Sequence, residues 1–149
     1  MDSPQTPDAL PPRHETRLRV RYAETDQMGV VYYANYYVWM ELGRVELVRS
    51  LGMIYKDLEE HEGLFLAVIE SSCRYLRPAR YDQEIIVETE VANTTHRIVE
   101  FTYRIRSVNP EQVLAEGATK HMWLDRAWRP AKLPDRYLDV LQSTIKAST

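Results

Sequence analysis

The chain has 149 residues and a formal net charge of −3, so one domain is the default and nucleic acid is not the indicated partner. Its single cysteine excludes an intramolecular disulfide framework and suits a reducing, cytoplasmic compartment. No apolar run approaches the ~18–20 residues of a membrane span, and the polar start, Met1 to Glu15, lacks the basic and apolar regions of a signal peptide.

Residues 1–14 are polar and proline-rich, which predicts a disordered tail and leaves a folded domain over 15–145. From Arg17 to Tyr22 the side chains alternate. Arg17, Arg19 and Arg21 fall on one face, Leu18, Val20 and Tyr22 on the other, and that period of two predicts a half-buried strand with Tyr22 inward. The run Glu24-Thr25-Asp26-Gln27-Met28-Gly29 breaks the alternation. Thr and Asp bond nearby backbone in turns, and Gly29 permits backbone angles that other residues resist. From about Asn35 to Leu51 the period becomes helical. Tyr36, Met40, Leu47 and Leu51 share a face, and Val38, Leu42 and Val45 are expected to widen it. Asn35 is the expected N-cap. Gly43 sits inside this helix at a cost of about 1 kcal/mol against Ala, which points to a close approach to a sheet.

Gly52 is a natural C-cap, and Ile54 to His61 predicts a short helix ended near Gly63. The apolar run Leu64 to Ile69 predicts a second strand continuing toward Pro78. Glu84 to Val91 gives a third, with Ile85, Val87, Thr89 and Val91 on one face. Asn93-Thr94-Thr95 signals a hairpin turn. In the fourth strand Val99, Phe101, Tyr103 and Ile105 alternate with Glu100, Thr102, Arg104 and Arg106. Asn109-Pro110 marks the next turn, Val113 to Leu124 alternates as a fifth strand, and Pro134-Asp135 starts a terminal helix to about Ile145. Strand, long helix, then four closely linked strands predicts an α+β domain. Its last four strands should pair antiparallel, with one helix laid across a sheet face that has room for little else.

Asp26 stands just before the start of the predicted helix, among Tyr32, Tyr33, Tyr36 and Tyr37. Helix N-termini carry unpaired N–H groups and partial positive charge, and such N–H groups can hold a developing oxyanion. A carboxylate beside them suits attack on an acyl group, directly or through water. The plainer alternative is a turn or capping residue.

The string from Tyr22 to Tyr36, Tyr-Ala-Glu-Thr-Asp-Gln-Met-Gly-Val-Val-Tyr-Tyr-Ala-Asn-Tyr, resembles the signature of the 4-hydroxybenzoyl-CoA thioesterase family of hotdog-fold acyl-CoA thioesterases. Glu41-Leu-Gly-Arg44 follows as expected for that family's helix, and Tyr75 to Asp82 looks like its segment leading into the third strand. The resemblance covers about Thr16 to Leu141. It implies a single hotdog domain, a five-stranded antiparallel sheet wrapped around one long central helix. It also implies hydrolysis of an acyl-CoA to free acid and coenzyme A, with no cofactor beyond the coenzyme A of the substrate. Chains would pair edge to edge, as a dimer at minimum and as a tetramer by pairing of dimers, with the substrate channel between subunits.

Residue by residue, the resemblance implies that Asp26 is the nucleophile or general base and that the Tyr33 N–H holds the thioester oxygen. Family members carry His or Tyr at that position, and with Tyr the role is orientation and oxyanion binding. Tyr22 could donate to the Asp26 carboxylate or fill core, and Asn35 is a supporting cap. Arg74, Arg77, Arg80 and Arg97 are candidates for the phosphates of coenzyme A, since guanidinium groups bind phosphate bidentately; the alternative is a solvated face. Ser71 and Ser72 could line the pantetheine channel. Cys73 is mid-strand with no paired His and reads as an inert thiol. His14, His61, His96 and His121 lack zinc-site spacing, so no metal is expected; His96 reads as solvated and His121 as structural. Two other functions share these features: a non-catalytic acyl-thioester-binding subunit, and a hotdog hydro-lyase on acyl thioesters, which would want a His beside the carboxylate.

Overall fold

The computed structural model describes residues 13–146. The expected tail thus falls outside the described residues except at Arg13 and His14, and His14 already opens a strand. Strands β1 (His14–Arg19), β2 (Phe65–Tyr75), β3 (Glu84–Thr94), β4 (Ile98–Val108) and β5 (Glu111–Leu124) form one sheet in the order β1-β3-β4-β5-β2. Every neighbouring pair is antiparallel. The last four strands pair antiparallel as expected, with β3 beside β4 and β4 beside β5, but β2 does not lie beside β3 despite the short link between them. β2 pairs with β5 at the far edge. The reason lies just past Tyr75: the N–H groups of Leu76 and Arg77 both donate to Leu114 O, so the chain runs on along β5 instead of turning back.

Helix α1 spans Asn35–Ser50, 16 residues. A short helix α2 (Tyr55–Asp57) continues as a π-helical turn over Leu58–Glu62 and stops at Gly63, whose φ of +67° is a left-handed cap. Helix α3 spans Asp135–Lys146. Tyr36, Trp39, Met40, Gly43, Leu47 and Val48 of α1 are buried. They share one core with Ile85, Val87 and Val91 of β3, Val99, Phe101, Tyr103 and Ile105 of β4, and Leu138 and Leu141 of α3. Each such fully buried aliphatic or aromatic side chain contributes about 1.5–3 kcal/mol. Two helices therefore share this core, where one was expected. The expected widening of the apolar stripe also went the wrong way. At 3.6 residues per turn Val38 and Leu42 lie opposite Tyr36, and both are exposed. Trp39 and Val48 widen the stripe instead.

The close approach expected at Gly43 is present. A Cβ there would sit 2.5 Å from Thr89 Oγ1 and 2.8 Å from Val87 Cγ1 on β3, so the absent side chain lets α1 rest against the sheet. The five-stranded antiparallel sheet with α1 on one face is consistent with the hotdog plan. Among the described residues no helix is long and apolar enough to cross a membrane.

Candidate active site

Asp26 lies in a tight loop between β1 and α1. Its N–H donates to Val30 O at 2.8 Å, and Gly29 N–H donates back to Asp26 O at 3.0 Å. Gly29 makes this possible at φ +80°, a region costly for residues bearing a Cβ. The Asp26 carboxylate is half-buried. Its Oδ1 accepts Met28 N–H at 2.8 Å and Val30 N–H at 3.4 Å. Its Oδ2 has no donor among the described residues. One oxygen is thus held by the loop and the other is available.

The loop is fastened on both sides. Thr25 bridges Val31, Val30 bridges Arg80, and Val31 N–H donates to Ala79 O at 2.9 Å. Beyond it, Tyr32 N–H donates to Glu24 O and Asn35 N–H to Tyr32 O, both at 2.9 Å. Between these, the N–H groups of Tyr33 and Ala34 have no acceptor among the described residues. The carbonyl of Tyr33 accepts Tyr36 N–H at 3.3 Å and the Tyr75 hydroxyl at 3.2 Å. Two donors thereby fix the peptide plane that carries the Ala34 N–H. The start of α1 presents two adjacent free donors, the arrangement an oxyanion requires.

The Tyr33 ring is 59% exposed. It packs against Tyr32 at 4.7 Å and edge-on to Tyr75 at 6.3 Å between centroids. Tyr75 also meets Tyr36 edge-on at 5.1 Å, so β2 supplies an aromatic wall beside the loop. The Tyr36 hydroxyl accepts Ala79 N–H at 3.2 Å, and burial raises its pKa, which keeps it a neutral phenol.

Two expected residues stand elsewhere. Tyr22 is not on the inward face of a strand: β1 ends at Arg19, and Tyr22 opens a 3-10 turn, Tyr22–Glu24. It is 69% exposed and packs on Tyr81 at 5.6 Å. Arg21 N–H is drawn to the Glu24 carboxylate, which winds the chain out of the strand before Tyr22. Asn35 is not the N-cap, a position held by Ala34 with no side-chain cap. Asn35 is the first helical residue, and its Nδ2 donates to Glu24 O at 2.8 Å, so its support runs sideways to the loop.

Glu24 was missed in the sequence. It is 5% exposed; Oε1 accepts Arg21 N–H and Oε2 accepts Trp39 Nε1–H, each at 2.8 Å. The available signal was its place two residues before Asp26. Nothing in periodicity shows that a charged residue in a turn is buried.

Ser71 and Ser72 lie mid-β2, opposite Thr119 and Ala118 of β5. They line a cleft of about 470 Å³ with Glu70, Glu100, Thr102 and Lys120, and neither Asp26 nor Tyr33 borders it. Arg80 sits beside the Asp26 loop through the Val30 bridge, and Arg74 and Arg77 lie at the same end of β2. None of the three has a carboxylate within 4.0 Å among the described residues. Arg97 does not join them within one chain. Its carbonyl accepts Trp123 N–H, whereas Arg74 pairs with Glu116, so the two ends are separated by roughly 20–25 Å of strand at about 3.3 Å per residue.

Cys73 is half-buried, and burial pushes its thiol pKa up, opposite to what a thiolate nucleophile needs. His121 is buried with Nε2 2.8 Å from Thr119 Oγ1. His96 is exposed, as expected, and its Nε2 lies 2.7 Å from Asp135 Oδ1, which ties the β3–β4 turn to α3. Asp57, Glu60 and His61 bring one ligand atom each within 4.8 Å of one another, but all three are exposed and no ion is implied.

Comparison with known proteins agrees with the geometry. The Thioesterase superfamily profile matches residues 28–114. The putative acyl-CoA thioesterase YneP of Bacillus subtilis is 36% identical over 124 residues, which is 82% of this chain and 88% of that protein. The crystal structure of hypothetical protein TT1821 from Thermus thermophilus superposes with a TM-score of 0.82 at 35% identity, covering 88% of this chain and 98% of the other. A DHNA-CoA thioesterase from Staphylococcus aureus superposes with a TM-score of 0.80 at 28% identity, covering 89% and 87%. The sheet order, the clamped carboxylate loop and these similarities agree: the chain belongs to the thioesterase superfamily of hotdog-fold thioester hydrolases.

Proposed function

We propose that this protein hydrolyses the thioester of an acyl-CoA, with Asp26 as nucleophile or general base and the N–H groups of Tyr33 and Ala34 as the oxyanion site. The observation that carries this reading is the half-free carboxylate of Asp26, one oxygen bound to Met28 N–H and the other unoccupied, in the loop that leads to two unpaired N–H groups. The free oxygen attacks the thioester carbon or takes a proton from the water that does. The carbonyl oxygen gains negative charge, which the two N–H groups stabilise. The C–S bond then breaks, and coenzyme A leaves as a thiolate, stable enough to need no strong general acid. By the first route the acyl group stays briefly on Asp26 as an anhydride, which water cleaves; by the second the acid forms directly. Arg74, Arg77 and Arg80, at the same end of the sheet as the loop, suit the phosphates of the nucleotide.

The assembly belongs to the same reading. β2 is an edge strand with Val68, Ile69 and Tyr75 exposed, an open edge that invites pairing. A second copy bound there gives a homodimer, and two dimers a tetramer. Light scattering of an active monomer at micromolar concentration would contradict it.

The test of the reaction is a panel of aryl and aliphatic acyl-CoAs with detection of free thiol. Release of coenzyme A by the wild type, and its loss in Asp26→Asn, is the expected result. A panel on which wild type and Asp26→Asn do not differ would overturn the reading.

A further inference from the structure

The Asp26 loop and the start of α1 converge on Glu24. Its main-chain carbonyl accepts Tyr32 N–H at 2.9 Å and Asn35 Nδ2 at 2.8 Å. Its carboxylate accepts Arg21 N–H and, one helical turn into α1, the indole N–H of Trp39. The Arg21 guanidinium stands 3.7 Å away on the solvent side. Trp39 itself is buried and packs on Tyr36 at 5.0 Å. Four donors from three segments thus meet one residue placed two positions before Asp26.

A buried carboxylate is a costly way to fill space, since an apolar group of the same shape avoids the desolvation penalty. What it supplies is direction. Each oxygen takes one N–H in a charge-assisted bond, stronger and shorter than a neutral one. The lower bond closes the turn that delivers Asp26, and the upper bond ties that turn to the helix whose first N–H groups face the substrate. The distance between the attacking oxygen and the oxyanion donors is the quantity that such a tie holds constant, and small errors in it are expensive in rate.

We propose that Glu24 is a positioning residue for thioester hydrolysis: through Arg21 N–H and Trp39 Nε1–H it sets the Asp26 carboxylate relative to the N–H groups at the start of α1. This rests on the function proposed above. It makes no contact with substrate and exchanges no proton.

The test is steady-state kinetics on the best acyl-CoA of the panel, using variants shown to be folded at the assay temperature by circular dichroism and a cooperative melt. Glu24→Ala is expected to lower kcat about ten- to hundredfold, the scale of a misplaced reacting group, with KM within about twofold. Glu24→Gln keeps the shape and one acceptor oxygen and should recover part of that loss. Trp39→Phe keeps an aromatic six-membered ring but removes the pyrrole ring with its N–H donor, and should lower kcat in the same direction. The double variant Glu24→Ala/Trp39→Phe should be no worse than Glu24→Ala alone, because both break one link. A folded Glu24→Ala with wild-type kcat and only a lower melting temperature overturns the proposal, since that is a structural role. If Glu24→Ala does not fold, Trp39→Phe decides: wild-type kcat there overturns it equally. Asp26→Asn in the same assay separates the two readings. Turnover that survives Asp26→Asn removes Asp26 from the chemistry and with it the site reading this inference rests on, whereas turnover lost in Asp26→Asn but intact in Glu24→Ala sinks only this inference.

Discussion

The N–H of Met28 donates to Oδ1 of Asp26 at 2.8 Å, closing the loop through the same side chain to which the proposed mechanism gives the attack. The bond uses one oxygen as structure and leaves the other free for the role proposed for it. Asp26→Asn preserves the acceptor at Oδ1 and removes the charge at Oδ2. Turnover of thioester is therefore expected to fall at least about a hundredfold, the scale of a lost base or nucleophile, while the melting temperature stays close to wild type. Rates and melts on the same preparation check this, and near wild-type turnover would remove Asp26 from the chemistry. Cys73→Ala, by contrast, should retain most activity, because burial favours the protonated thiol.

The arginines divide by the end of the sheet they occupy. Arg80 lies beside the Asp26 loop and Arg97 at the opposite end of β5. At an exposed mouth, attraction for phosphate is screened over about 8 Å at physiological salt. Added salt, or Ala in place of the right Arg among Arg74, Arg77 and Arg80, should raise KM for acyl-CoA with little change in kcat. The effect should shrink for an acyl-pantetheine thioester, which lacks the nucleotide. Equal losses on both substrates in every variant would exclude these residues as the nucleotide site. A loss confined to the nucleotide substrate in Arg97→Ala would show that a second chain brings Arg97 to the mouth.

Gly43→Ala tests how tightly α1 lies on the sheet. Helix propensity favours Ala by about 1 kcal/mol, but the new Cβ meets Val87 Cγ1 at 2.8 Å and Thr89 Oγ1 at 2.5 Å. Both neighbours are β-branched side chains of a buried strand and cannot swing clear. Overpacking costs about 1–3 kcal/mol, so the net effect is expected to be a loss of up to about 2 kcal/mol and a lower melting temperature. A variant as stable as wild type would mean that helix and sheet can separate by a few tenths of an ångström without penalty.

His121 gives a pH signature. Burial, and secondarily the Arg44 guanidinium, push its pKa down from 6.5 to about 3. The neutral ring is bonded to Thr119, which is bonded in turn to Tyr103. Between about pH 6.5 and 3 the unfolded chain holds a proton at this residue that the folded chain does not. Stability therefore falls as pH drops through that window, by on the order of 1 kcal/mol per pH unit, and the contribution is constant above it. His121→Gln should flatten the slope of denaturant midpoint against pH between 6.5 and 5 relative to wild type. An unchanged slope would show that His121 protonates within the fold.

Periodicity alone located the strands and α1 to within a few residues, because alternation and the 3.6-residue repeat are written in neighbouring side chains. The turn signals likewise put Asp26 in a tight loop ahead of α1, where the structure has it; the chemistry proposed for it came from the resemblance of the Tyr22–Tyr36 string to a family. Four things escaped the sequence. That β2 pairs with β5 and not β3 depends on where residues 76–83 lead the chain, which no repeat encodes. That Val38 and Leu42 face outward while α3 enters the core depends on which helical face the sheet meets. Tyr22 belonged to the strand by alternation, yet the Arg21–Glu24 bond turns it out to solvent. Glu24, charged and next to a turn, looks exposed in any sequence. Only the convergence of Trp39, Arg21, Tyr32 and Asn35 from separate segments makes it a buried carboxylate. Sequence fixes what each segment prefers by itself; burial and long-range hydrogen bonding are properties of segments brought together, and those decided how the site is held.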